Sequence, residues 1–172
     1  MALLQGQEFD NLFRTFHHTA FHLELRDSYH IAEEAGPFEL FMKGQPDDFS
    51  WHQPWLGLVR EATRAGKSIT RVRVVTVPHC DYTRWGVSVA PLNIEAGEDL
   101  RWLPRHRATG IDFPPLDYWL FDDNRVVLTI FADDGRFAGG VEVSDAELIE
   151  QCRKVHQQVW ALAILHEQYV SG

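Results

Sequence analysis

Glu24, Arg73 and Arg101 place charge between apolar neighbours, inside segments whose alternation reads as sheet. Charges in such positions must find partners once the strands pack. Arg84 and Asp99 stand close to these segments, and Tyr82 shares a helix face with Trp85, so these six residues form the candidate ligand-binding set. Two chemistries fit an acid and several guanidiniums held this way. One is a structural salt-bridge network inside one edge of the sheet, which is the favoured reading. The other is a pocket whose arginines hold an acidic small molecule.

Other reactive residue types give less. Cys80 lies between His79 and Asp81 where a strand ends and a helix starts, a place where a thiolate nucleophile is favoured. Adjacent residues on a turn point apart, however, and no Gly-rich oxyanion loop lies near, so Cys80 reads as an incidental small residue. The nine histidines include no pair at ligand spacing on one helix face; His52 and His156 both lack a partner one turn on. No metal site is expected. The acidic pairs Asp122–Asp123 and Asp133–Asp134 fall where hairpin turns want Asp for backbone reasons. Phosphate-cradling glycine loops and a Gly-x-Ser-x-Gly elbow are both missing from the sequence.

The elements that would carry these residues are legible in the periodicity. Phe9, Leu12, Phe13 and Phe16 mark a helix over 7–16, and Thr19–Arg26 alternates as a strand. Pro37–Lys43 makes a short helical piece ending at Gly44, and Trp51–Ala65 a longer one ending at Gly66. Ile69–Val77 is a β-branched strand, followed by a helix from Asp81 to about Ala96 that Pro91 should kink or end early. Asp99–Leu103 is a short strand, and Pro104–Pro115 a polar loop. Tyr118–Asp122, Arg125–Phe131 and Arg136–Val143 form an antiparallel meander, its first turn placed at Asp123–Asn124. A last helix opens at Ser144 with Glu147 as a capping box and buries Leu148, Cys152, Val155, Val159 and Leu162. The predicted fold is α/β with α+β character: a single domain over 1–172, with a mixed β-sheet flanked by helices.

At 172 residues and 45% hydrophobic content the chain can bury one core. Twenty-five acidic against sixteen basic residues give a net charge of −9, which argues against direct binding to a nucleic-acid backbone. A local basic face built from Arg71, Arg73, Arg84, Arg101, Arg105 and Arg107 is the one route to it. Cys80 and Cys152 form no disulfide framework, and the N-terminus lacks a signal-peptide pattern, so a cytoplasmic protein without membrane contact is expected.

The run Trp55-x-x-Leu58-Val-Arg-Glu-Ala62, then Arg71-Val-Arg-Val-Val75 with Pro78, Asp81-Tyr-x-Arg-Trp85 and Asn93-x-x-Ala-Gly-Glu-Asp-x-Arg101 carries a resemblance. With Trp119-Leu-Phe-Asp-Asp123 and Gly135-Arg-Phe137 in the same order, the sequence resembles the actinobacterial family DUF6879 over roughly residues 16 to 169. That resemblance implies a companion of helix-turn-helix regulators, with no catalytic residues to carry over. The element order also resembles, more weakly, one half of the phospholipase D fold. If Asp122 takes the place of that family's motif Asp, its His and Lys places hold Pro115 and Asp117, neither of which can be the nucleophile or phosphate clamp.

The expected function is therefore a non-catalytic ligand-sensing or protein-interaction module accessory to a helix-turn-helix regulator protein, with a small-molecule ligand and no cofactor. The alternatives are a small-molecule enzyme with an Arg/Glu-lined pocket, which requires a deep cavity with perturbed carboxylates, and a weak nucleic-acid binder through Arg71–Arg107.

Overall fold

The computed structural model describes residues 2–172. Helical periodicity yields α1 (Gln7–Thr15), α2 (Ala35–Met42), α3 (Gln53–Arg64), α4 (Asp81–Ala96) and α5 (Ala146–Leu162), with a terminal α6 (His166–Ser171). The alternating segments become β2 (Thr19–Glu24), β3 (Ser68–Val75), β4 (Asp99–Pro104), β5 (Tyr118–Phe121), β6 (Arg125–Phe131) and β7 (Phe137–Glu142). Two-residue strands β1 (Leu3–Leu4) and β8 (Ile164–Leu165) cap the edges.

All eight strands join one sheet in the order β1-β7-β6-β5-β2-β3-β4-β8. The centre, β2-β3-β4, is parallel, because helices cross between these strands; the hairpin-linked β5, β6 and β7 run antiparallel beside it. This is a single α+β domain built on a mixed sheet, as the element order predicts.

Strand alternation sends two different populations to the two faces. Phe21, Leu23, Val72, Val74, Leu103, Tyr118 and Leu120 form an apolar face that α5 covers with Cys152, Val155 and Val159. The opposite face, beneath α1, α3 and α4, holds Ala20, Ile69, Trp119 and Phe121 at one end and Leu100 and Trp102 at the other. Between those ends lie His22, Glu24, Arg71 and Arg73. Register places them in two rows, with Trp119, His22 and Arg71 side by side in one and Glu24, Arg73 and Trp102 in the next.

Four local expectations are corrected. The cap of α5 is Asp145, not Ser144; its carboxylate accepts from the backbone N–H groups of Glu147 and Leu148, which a shorter serine one residue earlier does not reach. Leu162 is 42% exposed because α5 ends there, beyond the sheet that Val159 still touches. Pro91 does not end α4, which runs to Ala96; Ala90, Asn93 and Ala96 on both sides of it are buried, and packing overrides the one lost hydrogen bond. The β5–β6 turn has its left-handed residues at Asp122 and Asp123, one position earlier than predicted. Asp122 is held there by accepting the backbone N–H groups of His17, His18 and Thr19.

Candidate functional site

Glu24, the last residue of β2, sits between two guanidiniums. Its carboxylate accepts from Arg71 Nη1 at 2.7 Å and from Arg73 Nε at 2.6 Å. Arg71 continues the chain by donating from Nε to Glu98 at 2.5 Å, and Glu98 also accepts from Asn93 at 2.8 Å and from the indole of Trp55 at 3.1 Å. Asn93 in turn bonds the ring of His52 at 2.7 Å. Burial alone would raise the Glu24 pKa, but the charges of Arg73 and Arg71 outweigh it and hold the group at about 2. Arg71 is likewise kept charged against burial by Glu98 and Glu24.

The network does not fill the space above the sheet. A cavity of about 290 Å³ opens between this face and the segments carrying Tyr29, Glu34, Trp51 and Trp85, with Glu24, Arg71 and Arg73 among its walls. That volume is at the small end of ligand cavities, which run from roughly 300 to 1,000 Å³. His22 forms part of the floor. Its ring stacks on Trp119 at 4.1 Å with an interplanar angle of 7°, is 8% exposed, and has no hydrogen-bond partner on either nitrogen. Burial, with Arg71 nearby, lowers its pKa to about 3, so it is a neutral imidazole at neutral pH. Thr129, which also lines the cavity, leaves its buried hydroxyl unpartnered.

Two acid–phenol pairs line the opposite side. The Tyr29 hydroxyl donates to Asp117 at 2.5 Å, Asp117 also accepts the Leu25 backbone N–H at 2.9 Å, and the Tyr82 hydroxyl donates to Glu34. The two tyrosine rings lie 6.0 Å apart. Burial raises Asp117 to about 6, Tyr29's hydrogen bond opposing and the charge of Glu24 adding to it. Burial raises Glu34 as well, against the hydrogen bond from Tyr82. Such a surface can bind a ligand through fixed donors and acceptors, and Asp117 can exchange a proton near neutral pH.

Of the six predicted residues, Glu24, Arg73 and Tyr82 meet in this cavity. The other three lie elsewhere. Arg84 is exposed on α4 and pairs with Asp81 one turn away. Arg101 points to the α5 face, where its guanidinium lies 3.7 Å from the centre of the Trp160 ring and pairs with Asp99 at 2.9 Å. Strand parity explains this: Arg101 is one residue out of phase with Trp102, which faces the cavity. The sequence set omits His22, Arg71, Tyr29, Glu34 and Asp117. Arg71 carried a readable signal, since Ile69, Arg71, Arg73 and Val75 share one strand face; Glu34 and Asp117 lie outside regular strands and gave none.

Cys80 is exposed ahead of α4, with its thiol against the backbone oxygen of Asp27, while His79 bonds Tyr169 instead, so the two form no nucleophile–base pair. Arg71 and Arg73 on one sheet face and Arg101 on the other do not join into one basic surface. Asp122, spent on three backbone N–H groups, has no free catalytic role. Among the described residues no three His, Cys, Asp or Glu side chains converge to hold a metal ion, and no helix is long and apolar enough to cross a membrane.

Fold and site together define a mixed-sheet α+β domain with a charged, aromatic-walled pocket over the carboxyl ends of its parallel strands. The chain belongs to the family DUF6879, described as a domain of unknown function, which it matches over residues 7–171. A comparison with curated proteins finds no match.

Proposed function

We propose that this domain is a small-molecule-binding module whose ligand occupies the cavity above His22, Glu24 and Arg73. The observation that carries the reading is the cavity itself, in which Glu24, Arg73, Glu34 and Asp117 converge between tryptophan and tyrosine walls, the mixture of apolar surface and few polar groups that ligand sites use. The salt-bridge network and the pocket, separate alternatives in sequence, act together in this reading: Glu24, Arg71 and Glu98 pre-organise a polar wall without consuming its aromatic surface.

The output of the proposed sensor is a helix-turn-helix regulator protein, the partner that the family resemblance implies. Affinity capture from the natural host with mass spectrometry tests that half of the proposal; recovery of no such regulator across growth stages contradicts it.

A second reading, a small-molecule enzyme, is favoured by one observation: Asp117 titrates near 6 while hydrogen-bonded to a phenol inside the cavity. In that reading Asp117 is the general base or acid and Arg73 a positioning cation.

Native mass spectrometry of protein isolated from its host tests occupancy. A small-molecule mass adduct is expected on the natural protein and absent from Gly86→Phe, whose side chain enters the cavity beside Arg73; a Cβ at Gly86 already lies 3.3 Å from Arg73 Nη1. Circular dichroism checks that the variant stays folded. An adduct-free natural protein, or an equal adduct on both, overturns the reading. Conversion of the released molecule by the natural protein, lost in Asp117→Asn, decides for the enzyme.

A further inference from the structure

We infer that the ligand of this pocket is an organic cation with a flat body, an amidinium or a protonated nitrogen heterocycle, with its N–H groups directed at Glu34 and Asp117. The inference rests on the small-molecule reading above and names the class of molecule that satisfies it.

The charge around the cavity is unbalanced. In its walls and the network behind them, the carboxylates of Glu24, Glu34, Glu98 and Asp117 face only the guanidiniums of Arg71 and Arg73. Each guanidinium already faces a carboxylate: Arg71 spans Glu24 and Glu98, and Arg73 donates to Glu24 through Nε. At the rim Asp27 pairs with Arg105 at 3.6 Å, and the exposed Arg26 offsets one of the cavity carboxylates, leaving one in excess. An anionic ligand would therefore add a charge to a site that already carries an excess of carboxylate, whereas a cation removes that excess.

Glu34 and Asp117 are the two carboxylates without a cationic partner; each is held only by neutral donors, and Glu34 takes one bond, from Tyr82, through Oε2. Glu34 Oε1 has no hydrogen-bond partner among the described residues. Burial is the largest cause of the upward shift of both acids, and the arginines near them only partly oppose it.

The remaining surface suits a flat cation. Trp51 and Trp85, 5.4 Å apart, and Tyr82, 5.4 Å from Trp85, present ring surface to the cavity. Aromatic faces attract cations, and more strongly where water is excluded. The arginines use the same device in the same pocket, Arg73 lying 5.4 Å from the Trp102 ring centre and Arg71 5.7 Å from that of Trp119.

Three near-isosteric probes separate charge from shape: benzamidine, a cation at neutral pH, neutral benzamide, and anionic benzoate, each titrated against tryptophan fluorescence and by calorimetry up to about 10 mM. Benzamidine is expected to bind at least about tenfold more tightly than benzamide, with benzoate weakest. Glu34→Gln and, separately, Asp117→Asn are expected to weaken benzamidine about five- to tenfold while leaving benzamide within about twofold. Benzoate or benzamide binding as tightly as benzamidine overturns the cation inference and leaves the small-molecule reading standing. Failure of all three to bind also overturns it, the small-molecule reading being decided separately by the host-derived adduct.

Discussion

Glu24 binds two guanidiniums with one carboxylate, and the fold depends on it more than on a surface acid. Glu24→Gln leaves Arg71 and Arg73 with less countercharge in a buried setting, so a loss of about 3–5 kcal/mol is expected by urea unfolding. A change under about 1 kcal/mol would equate it with an exposed ion pair. The titrating groups of the pocket pull in opposite directions. Asp117 is raised from 3.8 to about 6, so its contribution to stability is full below its unfolded value and is lost as pH rises through about 6. His22 is lowered from 6.5 to about 3, so its contribution is full above its unfolded value and is lost as pH falls toward about 3. Asp117→Asn is therefore expected to remove the decline in stability that accompanies rising pH near 6, and His22→Phe to reduce the decline on the acid side; unfolding series across about pH 4 to 8 read both. An unchanged slope in Asp117→Asn contradicts the assigned shift. Glu24 and Arg73 were visible in sequence because apolar neighbours bracket them, and His22 obeys the same alternation. Histidine in a half-buried strand carries no charge conflict to draw the eye.

The elements follow from periodicity wherever they are long. Helices α1, α3, α4 and α5 and strands β2, β3, β5 and β6 lie where apolar spacing put them, because each buries a continuous stripe or face. The two-residue strands β1 and β8 were not legible, since two residues hold no period and owe their state to neighbours, β1 to β7 and β8 to β4. The pocket depends on the junction of α4 and β4, where Gly97 closes the helix at φ 116° and the next residue, Glu98, reaches Arg71. A Cβ at Gly97 would lie 2.4 Å from the hydroxyl of Thr63 on α3, in a backbone conformation that suits glycine. Gly97→Ala is expected to cost about 1–3 kcal/mol and to raise hydrogen exchange at Glu98 and Asn93. Wild-type stability and protection in that variant would show that the junction is not constrained. Phe38 is the main aromatic contact of α2 with α4, packing its ring 5.7 Å from both Tyr82 and Trp85. Phe38→Ala should accordingly increase exchange across α2 while leaving β2, β3 and β4 protected.

At the scale of the molecule, the two sheet faces divide the work. Helix α5 seals an apolar face, in which Tyr118 is fully buried and donates to the Cys152 carbonyl at 2.7 Å, and the other face keeps charges and a cavity. Sequence order was enough to foresee a mixed sheet with an antiparallel meander. It could not show which loop-borne acids fold over that sheet, because Glu34 and Asp117 reach the cavity through tertiary structure alone. With a net charge of −9 and its sheet arginines paired on opposite faces, the domain is expected to give no mobility shift with duplex DNA at about 50 mM salt; a salt-sensitive shift would point to a basic surface elsewhere. The pocket's occupancy is tested most directly by thermal unfolding with and without the dialysable small-molecule fraction of a host extract. A ligand present at about 100 times its Kd adds about 2.7 kcal/mol, so Tm should rise by roughly 5–10 °C in the natural protein and stay unchanged in Gly86→Phe. An unchanged Tm in the natural protein, or an equal rise in both, would contradict the assignment of this cavity as a binding site.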